Sequence, residues 1–216
     1  MKKLIAAGIL ILFCAGVAAG LSCSQGTSAK TTNAMTAGKP ELNLKLAMRK
    51  LWEEHIAYTR NYITSALANT EDTATIAQRL LSNQNDIGNA LKTYYGDAAG
   101  KRLTALLRQH VSIIIEIMKV ASINNNESLN KANKRWHANA QEIAVFLNEV
   151  NPNWPTKNMA EILHEHLNLT AGQIVSRLKK DWIADIGCYD RGHDHIIMLA
   201  DTLTDGIIKQ FPDKFK

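Results

Sequence analysis

The sequence predicts an all-α protein, a single helix bundle of four long helices with shorter helices connecting them. Three observations carry that expectation. From residue 40 onward the apolar residues recur at the 3.6-residue spacing of a helix. No stretch alternates apolar and polar residues for more than a few positions, so no sheet is expected. Only four prolines interrupt 216 residues, 46% of which are hydrophobic, so the chain can fill a core.

The elements follow in order. Met1-Lys2-Lys3 and the 18 apolar residues Leu4–Leu21 have the charged start and apolar run of an export signal. Cys23 then stands at the end of the run behind the small Ser22, the pattern of a bacterial lipoprotein signal over residues 1–22. Gly20 departs from that pattern, which usually carries a large aliphatic residue three positions before the cysteine. The expectation is a chain lipidated at Cys23 and held at a membrane on its extracytoplasmic side. An uncleaved anchor and an ordinary cleaved signal are the alternatives. Residues 23–39 are small and polar, a flexible tether. The domain occupies 40–216, where Cys188 stands alone and no internal disulfide can form.

Within the domain, Pro40-Glu41 suits a first helical turn. Leu44, Met48, Leu51, Trp52, Ile56 and Ile63 then share one face of a helix over 41–68. Shorter helices are expected over 73–82 and 84–95, closed by Gly96, and a long one over 98–122. Asn124-Asn125-Asn126 separates that from a helix over 127–149, and Asn151-Pro152-Asn153-Trp154-Pro155 ends it. Thr156 is expected to cap a short helix reaching His166, and Thr170 another reaching Lys179. The last helix runs over 181–210, with Trp182, Ile186, Tyr189, Ile196, Leu203 and Ile207 on its buried face. Met48, Met118, Met159 and Met198 are expected as core filler.

Function is bounded mostly by exclusion. The net charge of +5 comes from basic residues scattered among acids, with no stripe or aromatic platform for nucleic acid. There is no phosphate loop, dinucleotide glycine motif, nucleophile elbow or paired-cysteine metal motif, which argues against nucleotide-dependent catalysis, and no catalytic residue is predicted.

The informative feature is polar residues on apolar faces. His55, His110, His166 and His193 fall on the inner faces of four helices, with Asp185 on the same face as His193. Thr59, Asn139 and Tyr189 support them. His164 and His195 lie two residues from an inward histidine, about 200° around the helix, and are expected to point outward. Neutral imidazoles with a carboxylate from facing helices suit a transition metal such as Fe, Zn or Cu. A structural network of buried polar groups is the alternative. The paired Glu-x-x-His motifs of di-iron bundles are missing.

The pattern Leu51-Trp52-Glu53-Glu54-His55 with Thr59-Arg60 opens a series of further matches. It continues through His110, Trp136, Asn139, Asn151-Pro152 and His166-Leu167. Asp185, Tyr189-Asp190, His193 and Gly206 through Pro212 complete it. Over about residues 45 to 215 the chain resembles a family of bacterial all-helical proteins without an assigned activity. Cys188 and His195 depart from that family's pattern. Labels such as acetylglutamate kinase or glycosyltransferase, attached to some similar sequences, imply a phosphate loop or α/β alternation that this chain lacks. The resemblance implies importance for the same His and Asp positions.

Overall fold

A computed structural model describes residues 39–122 and 125–216. The export segment, the lipidation residue Cys23 and most of the tether fall outside the described residues. One compact unit spans Ala37–Lys216, and the buried apolar residues, from Leu44 to Ile207, form one core cluster inside it.

Five helices make the bundle: α1 (Pro40–Ala68), α2 (Thr73–Ser122), α3 (Asn126–Val150), α4 (Thr156–Leu178) and α5 (Trp182–Gln210), followed by a short 3-10 turn, Pro212–Phe215. Each packs on its predecessor, and α5 closes back on α1. Among the described residues there is no strand, and no helix is long and apolar enough to cross a membrane.

Helix α2 is bent back on itself. At Gly96 the backbone leaves helical geometry (φ 83°, ψ 174°). Gly88 consequently lies against Gly100 and Thr104, and Arg108 donates to the Leu81 carbonyl at 3.1 Å. The two arms, 73–95 and 97–122, therefore run antiparallel. A Cβ at Gly96 would meet no atom within 4 Å, so any penalty there is conformational. Gly96→Ala is expected to cost about 1–3 kcal/mol in chemical denaturation, because a side chain is strained at that φ and ψ.

Four expectations are corrected. The 73–95 arm is continuous: Asn83, where the expected break falls, is fully buried beside Gln84 and donates to the Leu51 carbonyl of α1 at 2.9 Å. Helix α4 is likewise continuous. Thr170 sits inside it with its hydroxyl bonded to the His166 carbonyl at 2.9 Å, and Thr156 starts the helix behind Pro155 without capping it. Trp182 and Ile186, in the first turns of α5, are more than half exposed; Trp182 borders a groove with the end of α1 and carries the Arg177 guanidinium over its ring. Met198 is 40% exposed, whereas Met48, Met118 and Met159 are core residues as expected.

The two ends of the bundle differ. At the end holding Gly96, Tyr95 accepts from Asn151 Nδ2 at 2.8 Å and donates to Gln210 Oε1 at 2.9 Å. Trp154, fully buried, donates to the Thr202 carbonyl and fills the space where a side chain at Gly206 would stand 1.9 Å from its Nε1. The Asn151–Pro155 connector and the segment around Gly206–Phe211 thus close this end together. The opposite, open end is where α1 turns into α2 and α4 into α5, and among the described residues no aromatic side chain is buried in those turns.

Candidate functional site: a buried imidazole ladder

Three of the expected histidines meet. The His55 and His166 rings are 5.6 Å apart between centroids, and those of His110 and His166 are 5.9 Å apart. Trp52 flanks His55 at 5.7 Å and Trp136 flanks His110 at 5.4 Å. A ladder of five rings, Trp52–His55–His166–His110–Trp136, therefore crosses the bundle from α1 through α4 and α2 to α3, with every member at most 5% exposed.

The hydrogen bonds fix how each imidazole is used. His110 has both nitrogens committed. Trp136 Nε1 donates to Nε2 at 3.1 Å, so Nε2 carries no proton, and Nδ1–H donates to Asn139 Oδ1 at 2.9 Å. Asn139 is oriented in turn by donating to the Leu106 carbonyl at 3.1 Å. His55 is held more weakly. The Gln84 amide nitrogen has two protons for three acceptors: Leu80 O at 2.8 Å, Asn83 Oδ1 at 3.1 Å and His55 Nδ1 at 3.2 Å. Thr59 bonds the His55 carbonyl at 2.8 Å, a turn of helix reinforced rather than a side-chain contact. Among the described residues His166 Nδ1 has no hydrogen-bond partner, nor do Trp52 Nε1, Gln84 Oε1 and Gln173 Nε2.

Burial makes these rings neutral. It pushes His55 down to about 3, helped by the nearby His110, and His110 down to about 4 against the opposing bond from Asn139. His166 is held well below the ordinary histidine range by burial first, then by His55 and His110. A proton here would have to sit in low dielectric beside other imidazoles.

Asp185 and His193 do not join the ladder. Asp185 is 1% exposed and accepts from Arg60 at 3.1 and 3.2 Å and from Arg177 at 2.6 Å. The Arg60 guanidinium lies 4.6 Å over Tyr189, whose ring stands 6.3 Å from that of His193. His193 is at the rim, its Nε2 3.1 Å from Glu53 Oε1. Asp185 sits nearer the start of α5 than the ladder, and His193, though close to the height of His55 and His166, faces the rim rather than the core. Among the described residues, no three His, Cys, Asp or Glu side chains form a set able to hold a metal ion.

The outward histidines are only half outward. His164 Nδ1 lies 2.9 Å from His137 Nδ1 on α3, and His195 Nε2 lies 2.8 Å from the Ile162 carbonyl. The first contact needs a proton on one ring and a bare nitrogen on the other, so the pair cannot both be charged without parting.

Gln84 belongs to the polar layer through His55, and it lies beside the break expected near 83; Gln173 is also buried, within the unbroken α4. Continuing the 3.6-residue spacing from Leu80 to Gln84 and Ile87 places Gln84 on the inner face. No family model matches the chain, and no curated protein or solved structure does either.

Proposed function

We propose that the domain is a non-enzymatic interaction module of the cell envelope, held at a membrane through Cys23, whose buried imidazole ladder sets helix register and which acts through its surface. The observation that carries this reading is the commitment of both His110 nitrogens to Trp136 and Asn139. A histidine whose only lone pair already accepts a proton from tryptophan serves as a strut between helices and has nothing left for a ligand. Networks of this kind fix which helices meet and at what register, because a slipped arrangement orphans their donors and acceptors.

The reading is tested by removing the strut and by removing any metal. His110→Leu leaves Trp136 Nε1 and Asn139 Oδ1 unpaired and is expected to cost about 2–4 kcal/mol in urea denaturation. Exhaustive dialysis of the purified protein against a chelator is expected to leave its melting temperature unchanged. Near-stoichiometric metal by elemental analysis, with a lower melting temperature after chelation, would sink the structural reading.

A second reading, a core that holds Fe, Zn, Cu or a small polar ligand, is favoured by one observation. The unpartnered atoms of His166, Gln84, Trp52 and Gln173 are buried polar groups with unused bonding capacity. The same metal analysis tests its metal form.

A further inference from the structure

The open end of the bundle carries a concentration of exposed apolar side chains. Among the described residues nine large hydrophobics are exposed, and five of them lie within the twelve residues that turn α4 into α5. They are Val175 (46%), Leu178 (49%), Trp182 (54%), Ile183 (87%) and Ile186 (53%). The other three tryptophans are at most 4% exposed, so Trp182 is the odd one out.

Two lysines stand beside this patch. Lys179 and Lys180 are exposed in the turn itself and take part in no ion pair among the described residues. The neighbouring acids are already engaged. Asp181 accepts from the Ala184 N–H at the start of α5, and Asp185 is enclosed by Arg60 and Arg177. On the α1–α2 turn Glu71 and Asp72 are both exposed, Asp72 being held by the hydroxyls of Ser65 and Thr70.

We propose that this end of the bundle is a contact surface for an anionic phospholipid bilayer. Trp182, Ile183 and Ile186 enter the interface while Lys179 and Lys180 meet the headgroups. Tryptophan suits a boundary that is apolar on one side and wet on the other, and lysine stems lie along apolar surface while their ammonium groups stay in water. The five side chains expose roughly 500 Å², short of the ~800 Å² per partner of a stable protein interface. A fluid surface needs no matching recess.

The chain outside the bundle is compatible with this contact. Helix α1, at 29 residues, separates the tether from the open end by about 43 Å. Residues 24–39 reach about 55 Å when extended, so a chain anchored at Cys23 can bring this end to the same bilayer. The inference rests on the module acting through its surface, but its test is separate from the metal and His110 measurements above.

The test uses the compact unit 37–216, so that neither leader nor lipid contributes. It is mixed with vesicles of equal parts phosphatidylglycerol and phosphatidylcholine, and with vesicles of phosphatidylcholine alone. The expected result is sedimentation with the first and much less with the second. The acrylamide-accessible tryptophan emission, which belongs to Trp182, shifts to the blue and becomes protected. Ile183→Asp, and separately Lys179→Glu with Lys180→Glu, abolish binding at an unchanged melting temperature, these positions being exposed. No binding to the anionic vesicles, or binding that survives both variants, overturns the proposal. So does self-association that Ile183→Asp dissolves in a protein that ignores vesicles, which would assign the patch to a second copy of the chain.

Discussion

Acidification to about pH 4.5 is expected to unfold the domain, through three histidines that cannot take up a proton while folded. In the unfolded chain each imidazole titrates near 6.5. In the bundle His55 is pushed down to about 3 and His110 to about 4, and His166 is held well below the ordinary range. Between those values and 6.5 the unfolded state binds more protons than the folded one. Stability is therefore fully present above about pH 6.5 and falls as the pH drops below it.

Each histidine withdraws about 1.4 kcal/mol per pH unit in that window. The three together remove on the order of 8 kcal/mol by pH 4.5, comparable to the whole stability of a typical domain. Paired carboxylates such as Asp201, held below the usual range chiefly by the bond from Arg49, add to the loss only at lower pH. Guanidinium denaturation at a series of pH values between 7 and 5 measures the effect. The slope should approach three protons taken up on unfolding. His166→Leu should lower it by about one, with little cost at pH 7 beyond packing, because its Nδ1 has no bond to lose. A stability that does not change between pH 7 and 5 would show that these imidazoles are not buried and neutral.

The ladder was partly legible in the sequence, for a physical reason. Helical periodicity reports which side of a helix is buried, and His55, His110 and His166 stood on those sides. It does not report height along the bundle, which depends on how helices slide against one another. Asp185 faces inward nearer the start of α5, between Arg60 and Arg177, whereas His193 stands close to the height of His55 but is turned to the rim beside Glu53. Nor does a wheel report whether a neighbour exists. Trp182 and Ile186 stand on the expected face of α5 but in its first turns, where more than half of each remains exposed. The amides around Asn83 resembled a loop because exposed amides usually mark one. Here they are buried, and the bonds they make to Leu51, Leu80 and His55 are what permits an unbroken arm.

The second large effect concerns Asp185, which the sequence singled out as a ligand and which is instead the anion of a buried triad. Asp185→Ala is expected to cost about 3 kcal/mol in stability. The loss has little to do with the aspartate's own packing. It arises because Arg60 and Arg177, whose side chains are only 22% and 18% exposed, are left facing each other without a counter-charge. The residual exposure lets each guanidinium lean toward water, and each keeps an aromatic neighbour, Tyr189 for Arg60 and Trp182 for Arg177. That places the cost at the lower end of the range for a broken buried pair. The decisive comparison is a triple variant, Asp185→Leu with Arg60→Met and Arg177→Met, which removes all three charges while keeping volume. If the triad's role is only to neutralise itself, this variant should recover most of the loss in urea denaturation. If it remains as unstable as Asp185→Ala, the forked bonds from α1 and α4 to one carboxylate are themselves what holds α5 in register.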